Sequence, residues 1–521
     1  RRLCRISSLR WETLPIRQIA VTFLVLTGAL GRATPLPMVD HHTTAPDSPT
    51  RASACALRTA LLCSYLSLVS GCGLSQWVDN GFKVGPNGGC PQAAIAEDWI
   101  DAEDAQINTH LPEFPDWWAV FDDPILNDLV QMAYEQNPSL REAGWRVMQA
   151  RARRAIAAGN LFPQSQQGSG AYDRIQNSEN LAAPPPLRAY DNWSTGLSLS
   201  WELDVWGRFR RSITSADADL RASVGDYDAI LLSLIAEVAT AYTEYRTFQK
   251  RLEYARHNVK IQEGSLGLTE EKADAGATGY TSVHLAKSSL ESTRATIPSL
   301  EIGLRQASNQ LCTLLGVPSQ DLTEMLGPGG IPTAPSEVAV GIPADLMRRR
   351  PDIRAAEASV AAQSEQIGIA LADLYPHFSI NGEIALESED FNQLFSSAST
   401  AGNIGPSFRW NLLNYGRIIN NVELQAAGLQ ELIASYQNVV LTANQEVEDA
   451  LVAFLRNQQR VRNLESSVEE TKEALRLLTI SFEDGAISFT GIFVMQGELA
   501  AVQDQLAQTR GDVVTSLIAV Y

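Results

Sequence analysis

The chain has 521 residues, 45% apolar, 19% charged and 7% aromatic, with a formal net charge of −19 and a pI near 4.8. That acidity excludes a nucleic-acid binder, which needs a clustered Lys/Arg surplus, and a mean hydropathy of −0.10 excludes a polytopic helical membrane protein. The six cysteines (Cys4, Cys55, Cys63, Cys72, Cys90, Cys312) and six histidines show no ligand spacing, so no disulfide scaffold, metal site or other cofactor is indicated.

Two apolar runs, Ile19 to Leu30 and Ala56 to Val69, open the chain. Both are shorter than the roughly 20 residues that span a bilayer, and both read as signal-peptide cores. The second follows Arg51 and Arg58 and ends Leu68-Val69-Ser70-Gly71-Cys72. Small residues before a cysteine resemble the lipobox of bacterial lipoproteins, which makes Cys72 the acylated mature N-terminus and 1–71 a leader. Residues 1–50 read as a mis-extended start. Removing 1–71 takes away eight arginines and three acids and leaves a formal charge of −24. Multiple acyl chains make a firm anchor. Residues 72–122 then form an N-terminal linker.

From 123 onward the chain is written twice. Asn137-Pro138-Ser139-Leu140-Arg141 returns as Arg350-Pro351-Asp352-Ile353-Arg354, and Leu161-Phe162-Pro163 returns as Leu374-Tyr375-Pro376. Trp206-Gly207-Arg208 returns as Tyr415-Gly416-Arg417, and Gly276-Ala277-Thr278-Gly279-Tyr280 as Gly485-Ala486-Ile487-Ser488-Phe489. Four matched blocks in the same order define two units, 123–316 and 342–521, joined by a connector at 317–341.

In each unit a helix starts at proline and runs to the Phe-Pro or Tyr-Pro stop. Strand-like alternation follows. Trp193, Thr195, Leu197, Leu199, Trp201, Leu203 and Val205 alternate with Ser194, Gly196, Ser198, Ser200, Glu202 and Asp204. Phe378, Ile380, Ile384 and Leu386 alternate with polar neighbours, as do Ile404, Phe408, Trp410 and Leu412. The segment Gln166–Asp173 is the weakest of the four and is a strand by symmetry only. Period two gives each strand one apolar and one polar face, with the length of a transmembrane β-strand. After each Gly-Arg, a proline-free stretch (Arg208 to Ala273, and Arg417 to Glu483) predicts a helix of about 100 Å. Glycine breaks each one, at Gly276 and Gly279 or at Gly485, and another helix returns.

Four strands cannot close in hydrocarbon, where an open edge leaves its backbone groups unsatisfied. A barrel must therefore be shared among two, three or more copies. No Gly-x-Ser-x-Gly elbow, phosphate loop or dinucleotide fingerprint occurs, and Gly327-Pro328-Gly329-Gly330 reads as a turn. Nothing in the chain marks an enzyme.

The duplicated unit, the Phe-Pro stop, the Trp-x-Leu-Asp-x-Trp-Gly-Arg turn and the lipobox cysteine resemble the TolC-type outer-membrane efflux factors, in their NodT-type lipoprotein branch. The resemblance implies a mainly α fold with a membrane β contribution: a homotrimer with a 12-stranded barrel and a helical coiled-coil tunnel in the periplasm. It implies an equatorial belt from the connector, and partnership with a periplasmic adaptor and an inner-membrane resistance–nodulation–division pump. It places adaptor contacts and the periplasmic aperture at Asp274, Gly276, Thr278, Tyr280, Asp484, Gly485, Ser488, Phe489 and Val494. Relatives often carry a gate aspartate beyond the second tip, where this chain has Ile492-Phe493-Val494-Met495, which leaves two alternatives: an apolar constriction at this site, or charge supplied by the tip acids Asp274 and Asp484. The resemblance also makes Tyr521 an early end. Trp193, Leu197, Leu199, Phe378 and Ile380 then face lipid. In the competing reading, an oligomeric coiled-coil lipoprotein that scaffolds partners without conducting, the same five residues pack on protein.

Overall fold

The computed structural model describes residues 77–89, 91–96, 98–108, 116–178, 180, 189–341 and 343–521. Cys72 and the leader lie outside them. The chain divides into two compact units.

The first unit comprises the described residues before 90, Ala158–Thr214 and Ser364–Ala426. Its centre is a four-stranded antiparallel sheet of β2 (Ser165–Gln176), β3 (Ala189–Leu203), β5 (His377–Ser388) and β6 (Thr400–Arg409), in the order β2-β3-β5-β6. The weak segment 166–173 is thus a full strand. Its pattern is faint because Gln166, Gly168 and Gly170 fall where its neighbour β3 carries Leu199, Leu197 and Thr195. The alternation assigned to Val205, Trp410 and Leu412 overruns the strands. β3 and β6 stop at Leu203 and Arg409, and a tight bond turns the backbone just beyond each, Val205 N–H to the Leu203 carbonyl (2.9 Å) and, two positions earlier in the second repeat, Leu412 N–H to the Trp410 carbonyl (3.1 Å).

A glycine of positive φ follows each turn, Gly207 at 82° and Gly416 at 81°. A Cβ on Gly207 would lie 2.4 Å from the Lys83 side chain, so glycine is needed there for both conformation and space. The segment 77–89 is fastened to this turn. Trp77 packs against Trp206 and donates to the Val205 carbonyl, and Val84 N–H donates to the Trp206 carbonyl at 3.0 Å. Arg210 donates to the carbonyls of Gly81 and Phe82, while Arg211, fully buried, donates to the Gly85 carbonyl and to Glu365 (2.6 Å).

The second unit comprises Pro91–Ala157, Ser215–Gln363 and Ala427–Tyr521. Its helices are α1 (Pro124–Gln136), α2 (Pro138–Gly159), α3 (Arg208–Asp274), α4 (Tyr280–Leu314), α5 (Thr323–Leu326), α6 (Pro343–Arg349), α7 (Pro351–Ala372), α8 (Arg417–Glu483) and α9 (Thr490–Val520). The first residues of α3 and α8 and the last of α2 and α7 belong to the sheet unit. Asp123 caps α1 by accepting from Ile125 and Leu126 N–H ahead of an N1 proline, and Asn137 caps α2 through Leu140 N–H. α3 and α8 are each 67 residues long. Their alanine-rich stretches bury Val238, Ala239 and Ala241 completely, in a core shared with Leu311, Leu315, Phe454 and Leu517. Buried Arg246 of α3 donates to the connector carbonyls of Leu326 and Gly327, which holds the Gly-Pro-Gly-Gly turn after α5. The two-residue strands β1 (Ile107–Asn108) and β4 (Val338–Ala339) pair in parallel.

Candidate functional site

The sheet has two chemically opposite faces, and its register shows which residues share each. Directly paired residues of an antiparallel ladder lie on the same side. Trp193 pairs with Ser388, Leu197 with Ile384, Leu199 with Gly382, Trp201 with Ile380 and Leu203 with Phe378. On the far side of β5, Phe378 pairs with Phe408, Ile380 with Pro406 and Gly382 with Ile404. All five residues singled out from the sequence, Trp193, Leu197, Leu199, Phe378 and Ile380, therefore stand on one face. The opposite face carries Ser194, Ser198, Ser200, Glu202, His377, Ser379, Asn381, Glu383, Asn403 and Arg409.

The apolar face is uncovered. Leu197 is 65% exposed, Ile384 57%, Ile404 80% and Phe408 70%. An apolar surface of this extent marks contact with a membrane or a partner. At one end, Tyr172, Trp193, Phe391 and Phe395 form a chain of ring contacts at 4.4, 5.0 and 6.1 Å, the aromatic edge found where barrel strands leave hydrocarbon. Phe391 and Phe395 were not anticipated from the sequence, because they follow the strand. β2 and β6 are the sheet edges, with no further strand beside them among the described residues.

In the helical unit, α3 and α8 end in the same way, 209 positions apart. Gly276 N–H donates to the Ala273 carbonyl and Ala277 N–H to that of Lys272; Gly485 donates to Phe482 and Ala486 to Ser481. Both glycines have positive φ, 70° and 76°. This is the double bond pattern of a glycine-terminated helix. Tyr280 Oη donates to Asp274 Oδ1 at 3.1 Å, and this hydrogen bond raises the Tyr280 pKa. Thr278 and Ser282 hydroxyls lie 3.1 Å apart. Lys272 ties the tips together by donating to the Glu483 carbonyl at 2.8 Å, with its ammonium 5.2 Å from the Phe482 ring.

Asp274, Gly276, Tyr280, Asp484, Gly485, Ser488 and Val494 are exposed and Thr278 is half-buried. Phe489 differs. It is fully buried against Phe482 at 5.7 Å, in a small core with Ile492, Leu475 and Leu499. Its ring holds the second tip from within and presents no surface of its own, since burial in this core takes its apolar area out of water. Lys272 was missed, since a lysine at a helix end ordinarily signals solvation. Among the described residues no group of three or more metal-ligating side chains occurs, and no helix is long and apolar enough to cross a membrane.

The family model described as outer membrane efflux protein matches residues 129–317 and 342–521. Nodulation protein T of Rhizobium leguminosarum bv. viciae is 34% identical over 429 residues, covering 81% of this chain and 86% of that protein. The pyoverdine export outer membrane protein OpmQ of Pseudomonas putida is 30% identical, covering 78% and 86%. The solved structure of the outer-membrane channel OprN matches with a TM-score of 0.80 at 31% identity, covering 84% of this chain and 98% of that one. The chain belongs to the outer membrane efflux protein family, and its fold, outer-membrane location and efflux role are those of that family.

Proposed function

We propose that this family member is the exit duct of a tripartite efflux pump: a homotrimer that passively conducts small molecules or ions expelled by an inner-membrane transporter through a periplasmic adaptor. The observation that carries the reading is the two-faced sheet with open edges. Its apolar face suits lipid and its polar face suits water, and hydrocarbon allows no unpaired edge. Three copies close twelve strands, more than the eight that form the smallest single-chain barrels. Trp145, Met148 and Ile156, exposed together along α2, favour a neighbouring copy beside that helix.

In this reading Cys72 carries the acyl anchor, and Trp193, Leu197, Leu199, Phe378 and Ile380 meet lipid. The connector at 317–341 forms the equatorial belt. The exposed tip residues Asp274, Gly276, Tyr280, Asp484, Gly485, Ser488 and Val494, with the half-buried Thr278, meet the adaptor or line the aperture. The duct transports and performs no bond chemistry. The test is planar-bilayer conductance of the detergent-purified protein with its oligomeric mass measured alongside. Discrete steps from a trimer are expected. A protein that forms no trimer and inserts into no bilayer, with or without an adaptor, would refute the reading.

A further inference from the structure

One cavity of about 360 Å³ in the sheet unit is lined by Arg208, Arg409, Arg417, His377, Asp373 and Asn411, with other polar neighbours. Its one lining acid, Asp373, and the nearby Glu202 are already engaged at one side. Arg208 lies 3.3 Å from Glu202 and 3.9 Å from Asp373, and His377 Nδ1 lies 2.9 Å from Glu202. The other two guanidinium groups have no acid. Arg417 Nε donates only to the Asn414 carbonyl at 3.3 Å, and the Arg409 side chain makes no hydrogen bond or ion pair among the described residues.

The duplication shows how this surplus arose. The first turn reads Trp201-Glu202-Leu203-Asp204-Val205-Trp206-Gly207-Arg208 and the second reads Trp410-Asn411-Leu412-Leu413-Asn414-Tyr415-Gly416-Arg417. In the first, Glu202 pairs with Arg208, while Asp204 pairs with Arg210 and caps α3 through Phe209 and Arg210 N–H. In the second, Asn411 and Leu413 stand at those places. The guanidinium is kept and both carboxylates are gone, so Arg417 and the first turn of α8 are left without a counter-charge.

We infer that this cavity binds a soluble oxyanion, a phosphate or carboxylate group of a solute, on the polar side of the sheet. Guanidinium forks match such groups two bonds at a time, and the asparagine amide of Asn411 adds a donor. His377 and Arg409 are cross-strand partners on the polar face, opposite the apolar one, so the site opens away from lipid tails. The inference deepens the duct reading, since in a closed barrel this face lines the channel. Closure brings no acid from β2 to the cavity end of β6, since Asp173 lies toward the far end of that strand. The strand that a second copy brings beside β6 is β2, and no Asp or Glu occurs from Ala143 to Tyr172.

The test uses the full-length protein in detergent with inorganic phosphate as probe, followed by 31P line broadening. Saturable broadening is expected for the wild type. Arg409→Gln with Arg417→Gln should abolish it, Arg417→Lys should retain part of it, and Asn411→Glu, which restores the acid of the first turn, should weaken apparent affinity at least tenfold. Cold-gel trimer stability and circular dichroism show that each variant folds, and Asn411→Glu serves if the double variant does not. In bilayers, phosphate added to a chloride bath should reduce wild-type unit conductance saturably and leave Asn411→Glu unaffected. A conducting wild type with no saturable phosphate effect in either assay overturns the site and leaves the duct. Phosphate binding by a protein that forms no trimer and inserts into no bilayer keeps the site and removes the duct. Binding only of short-chain phosphatidylglycerol, with none of inorganic phosphate, overturns the inference in favour of a lipid headgroup.

Discussion

Leu197 and Ser198 are adjacent in sequence and stand on opposite faces of the sheet, which makes them a paired test of its orientation. Leu197 lies near the middle of the 15-residue strand β3, 65% exposed, with Ile384 directly across on β5. An arginine on the lipid face of a barrel costs about 2–4 kcal/mol near the bilayer midplane. Leu197→Arg should therefore lower the folding equilibrium about 30- to 900-fold per chain, at roughly 1.4 kcal/mol per factor of ten. Ser198 pairs with Glu383 on the polar face, so Ser198→Arg meets an opposite charge and water, and a cross-strand pair of that kind contributes on the order of 0.2–1 kcal/mol in its favour. The assay is urea titration of folding into lipid vesicles, with heat-resistant trimer on cold gels as a second reading. A sheet packed on protein would also reject Leu197→Arg, so lipid thickness is varied as well. Only a lipid-facing residue should show a penalty that changes with bilayer thickness. Equal tolerance of the two arginines, or greater loss for Ser198→Arg, would refute the assignment of faces.

Three further outcomes follow from contacts in the helices and around Arg211. Tyr242 donates to Asp123 Oδ2 at 2.8 Å, and burial pushes its pKa up from 10.0 to about 12. The folded state thus holds the phenolic proton more tightly than the unfolded state. The stabilisation of about 3 kcal/mol is complete below pH 10 and disappears as pH rises to 12, so melting temperature should fall across that window for the wild type and less steeply for Tyr242→Phe. Removing Arg211 leaves Glu365 buried and unpaired. Arg211→Met should cost about 3–5 kcal/mol in urea unfolding, and the double variant Arg211→Met/Glu365→Leu should recover most of it; an equally unstable double variant would count against the pairing. At the second tip, Phe489→Ala should destabilise by about 3–5 kcal/mol. Gly485→Ala, which meets no atom within 4 Å, should cost only the backbone penalty of about 1–2 kcal/mol. Thermal melting of the two variants in parallel checks the contrast, and a mild Phe489→Ala would mean that the ring is at the surface after all.

The elements that could be read from the chain are those whose cause is local. Period-two alternation in Trp193–Leu203 and in Phe378–Leu386 reflects one wet face and one dry face, and the register adds only which neighbours share them. The long helices follow from the absence of proline and stop where glycine accepts positive φ, at Gly276 and Gly485. What stayed hidden depends on partners distant in sequence. Nothing near Trp77 signals that it packs on Trp206, and nothing near Gly81, Phe82 and Gly85 signals that Arg210 and Arg211 bind their carbonyls. Phe489 was read as a contact because of its place at a tip. Its apolar ring, beside Ile487 and Ile492, was the available sign that it turns inward.

The basic cavity was legible in principle, since the exchange of Glu202 and Asp204 for Asn411 and Leu413 is visible once the repeats are aligned. It escapes notice when repeats are compared for what they share. Shared residues report the fold: both turns keep Trp, Leu, Gly and Arg because both must end a strand, reverse at a positive φ and start a long helix. Differences between copies report what one copy was released to do. In the first turn the arginine is neutralised and its helix is capped, which is what stability alone would select. In the second the same exposed arginine stands without an acid and the helix start without a carboxylate, an arrangement that leaves their charge for an anion from solution to meet. A stabilising role for bound phosphate therefore follows. Phosphate should raise the melting temperature of the wild type, and Asn411→Glu should raise it without phosphate while removing the response to it. If Asn411→Glu left stability unchanged and the phosphate response intact, the loss of those two acids would carry no charge argument at all.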